Sequence, residues 1–422
     1  MRIELIETFA RLEDVRPDWE AAYLADDEAH YFVSWTFMAQ VFAQMETGWR
    51  VVAVRPDQEG SAFVAFLPLR VSAYLSKSQR LFCNTYDAAG AAFWADYTGL
   101  VCARAHDSQA IPALAGHLKS MPWAELELRN LLMSDRRQQL FLRAFEADVF
   151  KATIHAAARN KDNINNDVCP YIDLPDSFEA FLQNILGKNA RPKMRRVLRL
   201  LETSDQFRVT IADASSYARD IEITLAFWRE KWAARKGSRI GSQVRRFRRI
   251  LHAAAARNVL FLPVLWRGET PLGALGHFID RDKKALLYKL AGRNDAFKTP
   301  PPGVTLHAYS IRWAIQNGFK TYEFLRGDEP FKFTYGATAN RRIQTCVIRT
   351  QSRRNASGAL DPLSIPEVLD LATQYKEGGA VRKAAVGFRQ ILEVSPGHPI
   401  AAFLAGRLER PRPSETAEDL DA

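Results

Sequence analysis

Residues that can accept or donate a proton cluster between positions 327 and 335. Glu329 and Lys332 belong to the turn-like run Gly-Asp-Glu-Pro-Phe-Lys, and Tyr335 follows three residues later. Glu329 is a candidate general base because an acid just beyond a strand can face a cleft, and an ion pair with Lys332 is the alternative interpretation. Lys332 could instead contact a phosphate or an acyl carbonyl. Tyr335 and Tyr288 are candidate proton donors or packed aromatic residues with satisfied hydroxyls.

These residue types suit the transfer of an acyl group from a thioester to an amine. The reaction needs a neutral amine, donors for the oxyanion that develops on the carbonyl, and a proton for the departing thiolate. The chain contains no Gly-x-Ser-x-Gly motif that would mark a covalent nucleophile. We therefore expect direct attack, in which the positioning of the reactants dominates the rate.

A loop and a helix upstream could hold the phosphates of such a donor. The run Thr-Pro-Pro-Pro-Gly at 299–303 precedes apolar residues at helical spacing, and the N–H groups and positive dipole end of a helix N-terminus suit a phosphate. An ordinary Pro-capped helix with solvated cations nearby is the alternative interpretation. The candidate cofactor-binding residues are Pro302, Gly303, Val304 and Thr305, with Arg293 and Lys298 as counter-charges.

The surrounding pattern predicts that this helix packs on a sheet. Apolar runs at 261–266, 272–279 and 285–289 predict three strands, and a further strand is predicted at 320–325, after the helix. The first 160 residues show the same order of hairpin, helix and strand. The sequence therefore predicts two α/β units, at 1–165 and 166–354.

A strongly basic segment lies inside the second predicted unit. Residues 187–249 carry seventeen Lys or Arg against six Asp or Glu, a balance of +11 in a chain of net charge +10. Such a surface attracts polyanions, which could be a phosphorylated cofactor, a nucleotide-linked sugar, anionic lipid or RNA. A solvated helix face is the alternative interpretation.

Bulk properties argue against several other classes of protein. The hydrophobic content of 47% supports sizeable cores. The N-terminus lacks the features of a signal peptide, and the longest apolar run is far shorter than the ~20 residues of a membrane-spanning helix. The four cysteines and eight histidines show no metal-ligand spacing. We therefore expect a cytoplasmic protein without a membrane span, a metal or a permanently bound cofactor.

The sequence beyond residue 354 has a wholly helical pattern. Residues 355–410 are predicted to be a small all-α segment, in which seven residues fall where a tetratricopeptide repeat places its large, small, aromatic, turn and terminating residues. These are Leu371, Ala372, Tyr375, Gly379, Ala384, Phe388 and Pro396. One repeat cannot bury its own apolar face, so we expect it to dock on the catalytic body, self-associate or bind a protein partner. The acidic tail at 411–422 is predicted to be disordered.

Five short passages carry a family resemblance. They are Phe66–Leu69, Ala95–Gly99, Pro170–Leu174 leading to Lys188 and Arg195-Arg196, Pro302–Leu306, and Phe324–Lys332. In this order they resemble the CelD-like (BioF2-like, Acetyltransf_6-type) acetyltransferases, a branch of the GNAT superfamily related to the FemAB peptidyltransferases. The resemblance covers roughly residues 30–345. One departure is that ordinary GNAT enzymes have a Gly-x-Gly or Gly-x-Ala pyrophosphate loop, whereas this chain has Ala-Gly-Arg at 291–293 and then Pro-Gly at 302–303.

The resemblance implies a tandem GNAT-like α/β fold of mixed sheets with flanking helices, and a donor site in the C-terminal half. It implies transfer of an acyl group, expected to be acetyl, from acetyl-CoA or another acyl-CoA as co-substrate to an amine or hydroxyl. The acceptor would be a small molecule or a polysaccharide precursor. Candidate substrate-binding residues are Asp96, Tyr97, Lys188, Arg195 and Arg196, and a simple turn after Trp94 is the alternative for Asp96.

Two other functions stay open on the sequence. A FemAB-like transferase would use aminoacyl-tRNA as its donor, and the basic segment favours that reading. A catalytically silent GNAT-like scaffold in polysaccharide biosynthesis would recruit a partner through its tetratricopeptide-like segment and would bind no cofactor.

Overall fold

The structure is a computed structural model that describes residues 1–156, 159–297, 299–351 and 359–408. The strands, numbered in chain order, are β1 (Arg2–Ile6), β2 (Trp49–Arg55), β3 (Ala65–Leu75), β4 (Phe82–Ala88), β5 (Val101–Cys102), β6 (Glu125–Leu131), β7 (Phe150–His155), β8 (Tyr171–Asp173), β9 (Phe207–Ile211), β10 (Leu260–Phe261), β11 (Pro263–Arg267), β12 (Thr270–Asp280), β13 (Ala285–Arg293), β14 (Thr321–Glu323) and β15 (Gln344–Thr350).

The helices are α1 (Phe9–Asp14), α2 (Arg16–Leu24), α3 (Trp35–Met45), α4 (Asp107–Leu118), α5 (Asp135–Leu142), α6 (Phe178–Ala180), α7 (Arg191–Thr203), α8 (Tyr217–Lys236), α9 (Ile240–Ala256), α10 (Pro302–Gln316), α11 (Pro330–Phe333), α12 (Ile365–Glu377), α13 (Val381–Val394) and α14 (Pro399–Leu408). Within the described ranges, none of the helices is both long enough and apolar enough to cross a membrane.

The chain divides into two compact units. The first consists of Met1–His155 and Gln344–Ala422, and the second is Ala156–Ile343. The sheet of the first unit has the order β1-β2-β3-β4-β6-β15-β7, with β5 paired to β3. Neighbouring strands are antiparallel except β4 and β6, which are parallel. A parallel pair needs a crossover connection, and α4 lies in it and buries Ile111, Leu114 and Leu118 in the core.

The second unit repeats this arrangement with its own sheet. The order is β8-β14-β13-β12-β11-β9, with β10 paired to β12. Its one parallel pair among the described strands is β13 and β14, and α10 lies in the crossover between them. Ala308, Ile311 and Ala314 of α10 recur at helical spacing and are buried in the core. The predicted α/β fold with two mixed sheets in tandem and C-terminal helices is therefore confirmed.

The boundary between the units differs from the predicted division at residue 354. Strand β15 pairs with β6 and β7, so Gln344–Thr350 belongs to the sheet of the first unit. Its buried residues Cys346 and Ile348 complete the core of that unit. An alternating strand pattern predicts that one face is buried, but it carries no information on which of two sheets the strand joins.

The C-terminal helices pack on the sheet of the first unit. Gln390 of α13 accepts a hydrogen bond from the Phe82 N–H at 2.8 Å and donates one to the Phe82 carbonyl at 3.0 Å. Ala372, Ala384 and Phe388, three of the predicted repeat positions, are fully buried beside Phe82. Docking on the body of the protein, one of the three expected fates of this segment, is thus what the structure shows. The likeness to a tetratricopeptide repeat stays a prediction, and the tail at 411–422 lies outside the described residues.

Candidate functional site

The second unit contains a cleft of about 310 Å³ at the N-terminal end of α10. Residues of β12, β13, α8, α10 and the segment around α11 contribute to its wall. They are Lys231, Leu275, Tyr288, Ala291, Gly292, Arg293, Gly303, Val304, Leu306, His307, Phe331 and Tyr335. Five residues predicted for catalysis or cofactor binding are therefore brought together here, namely Tyr288, Arg293, Gly303, Val304 and Tyr335.

Strand β13 forms one wall of the cleft because only one of its two edges is paired along the whole strand. Along β12 it is paired over its whole length, from Ala285 to Arg293. Its parallel pairing with β14 ends at Leu287, which lies opposite Glu323. The remaining part of β13, from Tyr288 onward, borders the cleft. Backbone amides on such an edge can pair with an extended ligand, as in recognition by strand addition.

The N-terminus of α10 forms one end of the cleft. Pro301 is the N-cap residue, and no side chain caps this end among the described residues. Pro302 has no N–H to offer, so the N–H groups of Gly303 and Val304 are the first that an anion can use. A Cβ atom at Gly303 would lie 3.5 Å from Nη1 of Arg293. The Arg293 guanidinium therefore adds its charge to the positive end of the helix dipole.

Two glycines allow the helices to approach the sheet closely. A Cβ atom at Gly292 would lie 2.5 Å from Cβ of Phe227 and 2.7 Å from the carbonyl oxygen of Thr224, both in α8. A Cβ atom at Gly273 would lie 3.1 Å from Cβ of Pro302. A side chain at Gly292 would require α8 to shift, whereas one at Gly273 would require its neighbours to move by only a few tenths of an ångström. This packing of α8 also brings Lys231, one turn after Phe227, to the cleft.

The charges at this end are mainly positive. Burial, followed by the nearby charge of Arg293, lowers the pKa of Lys231. Arg293 forms an ion pair with Asp295, with Nε and Oδ1 2.7 Å apart, and both side chains are about half exposed. An exposed pair of this kind contributes little to stability, so the guanidinium can turn to a second anion at small cost.

Three aromatic rings, those of His307, Tyr288 and Tyr335, also line the cleft. The ring centroid of His307 lies 4.8 Å from that of Tyr288 and 4.9 Å from that of Tyr335. Burial raises the pKa of both phenols above the ordinary value. Both hydroxyls therefore keep their protons at neutral pH, which suits hydrogen-bond donors and not bases.

His307 also ends a buried chain of hydrogen bonds. Its Nδ1 lies 2.8 Å from the hydroxyl of Tyr322, and that hydroxyl lies 2.9 Å from Nε2 of His277. Nδ1 of His277 lies 3.3 Å from the carbonyl oxygen of Phe261. Burial lowers the pKa of His277 to about 3. Burial also lowers the pKa of His307, followed by the nearby His277 and Lys332.

The turn at 327–332 is held together from inside. Nζ of Lys332 donates hydrogen bonds to the carbonyls of Arg326 and Gly327 at 2.8 and 2.9 Å and lies 2.9 Å from Oε2 of Glu329. Lys332 is only 3% exposed, and neither it nor Glu329 lines the cleft. The structure therefore contains the ion pair between Glu329 and Lys332 that is the alternative interpretation. The contacts proposed for Lys332 would need this turn to open. The Glu329 side chain is 38% exposed, and its charge, after burial, raises the pKa of Tyr288 in the cleft, so its role as a general base stays a prediction.

The other predicted cofactor-binding residues support the loop. The hydroxyl of Thr305 donates to the carbonyl of Pro301 at 3.0 Å, so it faces its own helix and not the cleft. Pro302 is buried against Gly273. Lys298 lies outside the described residues.

The predicted substrate-binding residues lie elsewhere. Lys188 is exposed just before α7, and Arg195 and Arg196 lie on the exposed face of that helix. Arg195 pairs with Glu179 at 2.5 Å. Asp96 and Tyr97 belong to the first unit, where Tyr97 is fully buried in an aromatic cluster and its ring centroid lies 5.6 Å from that of Phe32. None of the five lines the cleft of the second unit.

Sequence reasoning missed His307 and Lys231. His307 follows Gly303 by four residues, which predicts that both lie on one face of α10, and this spacing could have identified it. Lys231 is one of seventeen cations in the basic segment and had no distinguishing signal. Among the described residues, no group of three His, Cys, Asp or Glu side chains is arranged to hold a metal ion.

Comparisons with known proteins agree with this fold. Residues 188–333 match the sequence profile of a family described as acetyltransferase (GNAT) domain. No curated protein matches the sequence. The crystal structure of FemX superposes with a TM-score of 0.56 at 12% identity, over 82% of this chain and 97% of FemX. A conserved protein of unknown function from Bacteroides thetaiotaomicron VPI-5482 gives a TM-score of 0.50 at 10% identity, over 83% of this chain and all of that one. The chain is thus similar in fold to FemX, and most of its second unit is similar to the acetyltransferase (GNAT) domain.

Proposed function

We propose that the second unit is an acyl-CoA-dependent acyltransferase. It would transfer an acyl group, expected to be acetyl, to an amine or hydroxyl of a small molecule or a polysaccharide precursor. One observation carries this proposal. The same cleft is lined by an uncapped helix N-terminus with two cations, by two phenols that can donate hydrogen bonds and by the imidazole of His307. Acyl-CoA is a cytoplasmic metabolite, so the proposal includes a cytoplasmic location.

The cationic end suits the pyrophosphate of CoA. The N–H groups of Gly303 and Val304 would donate to its oxygens, and Arg293 and Lys231 would neutralise its charge. This arrangement replaces the Gly-x-Gly loop that the sequence lacks. Gly303 suits this phosphate-binding arrangement because it has no side chain at the helix end that faces the cleft.

The wall of β13 suits the middle of the same donor. The pantetheine arm of CoA is extended and contains two amides. The backbone of β13 beyond Leu287 could pair with them in the way that an added strand pairs with a sheet edge. The thioester would then lie near Tyr288, His307 and Tyr335.

The reaction at that end is a direct displacement. The lone pair of the acceptor nitrogen or oxygen forms a bond to the thioester carbonyl carbon, and the carbon–sulfur bond breaks as its electron pair leaves on sulfur. The proton lost by the acceptor finally resides on the thiol. The hydroxyls of Tyr288 and Tyr335 keep their protons and can donate to the carbonyl oxygen as its charge develops.

Ligand-dependent thermal stability of the full chain tests the donor. A ligand that binds only the native state at one hundred times its Kd stabilises the protein by about 2.7 kcal/mol. We expect stabilisation by CoA, acetyl-CoA and longer acyl-CoAs. Arg293→Met should weaken CoA binding about 10- to 100-fold, because a charge-assisted hydrogen bond contributes ~1.5–3 kcal/mol.

Arg257→Met is the matched control for this experiment. Arg257 is an exposed arginine of the same unit that does not line the cleft. The variant removes the same charge, so affinity for CoA should stay at the wild-type value. Absence of stabilisation by every CoA compound would contradict the proposal and favour the silent scaffold.

A FemAB-like use of aminoacyl-tRNA is the second candidate, and the exposed basic residues favour it. Arg196 and Arg199 of α7 and Arg245, Arg246 and Arg249 of α9 are exposed. Binding through many phosphates depends steeply on salt, whereas CoA offers only a few. Bulk tRNA binding at low salt, lost steeply as salt rises, would support this candidate. No binding at low salt would refute it.

A further inference from the structure

The chain of hydrogen bonds behind the cleft has a fixed direction. At its buried end, Nδ1 of His277 faces the carbonyl oxygen of Phe261 at 3.3 Å. A carbonyl oxygen can only accept, so Nδ1 of His277 must carry a proton. In the neutral ring Nε2 is then an acceptor, and the hydroxyl of Tyr322, 2.9 Å away, must donate to it.

The same logic extends to His307. The single proton of the Tyr322 hydroxyl is used on His277, so its oxygen can only accept from Nδ1 of His307, 2.8 Å away. Nδ1 of His307 is therefore protonated and Nε2 carries a lone pair. His307 is 3% exposed and lines the cleft, and its Nε2 has no hydrogen-bond partner among the described residues.

Burial keeps all three groups in the neutral forms that this direction requires. It lowers the pKa of His277 to about 3 and lowers the pKa of His307 as well. It also raises the pKa of Tyr322 well above the ordinary value. A charged His277 would reverse the direction by donating from both nitrogens, and its burial disfavours that state.

We propose that His307 presents an unprotonated Nε2 to the cleft and accepts the proton of the attacking acceptor group, with Tyr322 and His277 as the positioning residues that fix this tautomer. The tautomer follows from the hydrogen bonds alone. The catalytic part rests on the proposed acyl transfer. The hydrogen bonds of Tyr322 and His277, which do not line the cleft, thereby decide which nitrogen of His307 is basic.

Protons and electrons balance in this step. The acceptor nitrogen or oxygen forms its bond to the carbonyl carbon while its proton moves to Nε2 of His307. The carbon–sulfur bond then breaks, and sulfur leaves with the electron pair. A buried imidazolium is a strong acid, so His307 returns the proton to the thiolate and is neutral again for the next turnover.

Nitrogen NMR of the full chain labelled with ¹⁵N-histidine tests the tautomer directly. The eight histidines give few signals, and a His307→Gln sample assigns the one of interest. We expect a protonated Nδ1 and a bare Nε2 for His307 at neutral pH. A protonated Nε2 in the wild-type protein overturns the proposal, and this measurement needs no variant that might fail to fold.

Two variants separate positioning from simple packing. Tyr322→Phe removes the acceptor of Nδ1, so His307 should move towards the tautomer protonated on Nε2. Tyr288→Phe removes a hydroxyl from a ring that contacts His307 edge-on, and it should leave the tautomer unchanged. An unchanged tautomer in Tyr322→Phe overturns the role of Tyr322.

Titration with acetyl-CoA distinguishes this inference from the proposed function. Thermal stabilisation by acetyl-CoA together with a shifted Nε2 resonance supports both. Stabilisation with an unchanged Nε2 resonance keeps the function and overturns the role of His307. With an acceptor that the wild-type protein acetylates, His307→Asn should lower kcat about 10²- to 10⁴-fold while acetyl-CoA still stabilises the variant, and an unchanged kcat overturns the proton transfer.

Discussion

Substitution of Gly292 by alanine tests how the cleft is built. The new methyl group would lie 2.5 Å from Cβ of Phe227, 2.7 Å from the carbonyl oxygen of Thr224 and 3.1 Å from the amide nitrogen of Trp228. Backbone atoms of a helix cannot rotate away as a side-chain tip can, so α8 must move from β13. Overpacking of this kind costs about 1–3 kcal/mol, and contacts this short place Gly292→Ala near about 3 kcal/mol.

The assay is thermal unfolding of the full chain, followed by a signal from the second unit. For a unit of this size 1 kcal/mol corresponds to about 2–4 °C, so Tm should fall by about 6–12 °C. Stabilisation by CoA should also weaken, because α8 carries Lys231.

Gly303→Ala is the matched control from the same cleft. Its methyl group would meet only Nη1 of Arg293, at 3.5 Å, which is an ordinary contact. In a helix this exchange is expected to stabilise by up to about 1 kcal/mol. Equal Tm values for Gly292→Ala and Gly303→Ala would refute the close packing of α8 on β13.

Three further predictions concern stability. Lys332→Met leaves the carbonyls of Arg326 and Gly327 without their donor, so urea denaturation should show a loss of about 1–3 kcal/mol. An unchanged stability would contradict the inward-facing ammonium. The folded pKa of His277, about 3, lies below the unfolded value of about 6.5, so its contribution is complete above pH 6.5. Between pH values of about 6.5 and 3 the unfolded chain binds a proton that the folded chain does not, so stability falls with falling pH by up to about 1.4 kcal/mol per pH unit. Unfolding measured over a pH series should show that the stability of His277→Gln depends less steeply on pH in this range. Gln390→Ala removes both hydrogen bonds to Phe82 and should weaken docking of α13 by about 1–3 kcal/mol, which limited proteolysis should detect as faster cleavage of the C-terminal helices. Gln374→Ala, on the exposed face of α12, is the control and should be cleaved at the wild-type rate.

Much of the second unit could be predicted because its signals are local. The apolar runs at 272–279 and 285–289 lie within β12 and β13, and the helix expected after the Pro-Pro-Pro-Gly run begins at Pro302. The alternation of apolar residues in a strand and their spacing in a helix depend only on neighbouring residues, so both can be recognised in a single sequence. The strand expected at 320–325 is shortened to Thr321–Glu323, because Leu325 already has a positive φ of 56° and turns away.

The roles of individual side chains were less predictable because their partners are distant in sequence or belong to the backbone. Lys332 turns inward to carbonyl groups, which every residue type possesses, so no sequence signal marks them. Thr305 binds its own helix in the same way. His307 depends on Tyr322 and His277, which are 15 and 30 residues away, and only the folded sheet brings the three together.

The pairing of β7 with β15 has a consequence for how the two units can be separated. His155 lies opposite Thr345 in the sheet of the first unit, so the chain leaves that sheet and returns to it on adjacent strands. A fragment that stops near residue 165 would leave β7 without the neighbour that holds it. Replacing Ala156–Ile343 by two residues would instead join β7 and β15 as a hairpin, with a three-residue loop that includes Gln344 between His155 and Thr345. The second unit is thus an insertion between two adjacent strands of the first sheet, and its removal is the deletion that leaves β7 paired with β15.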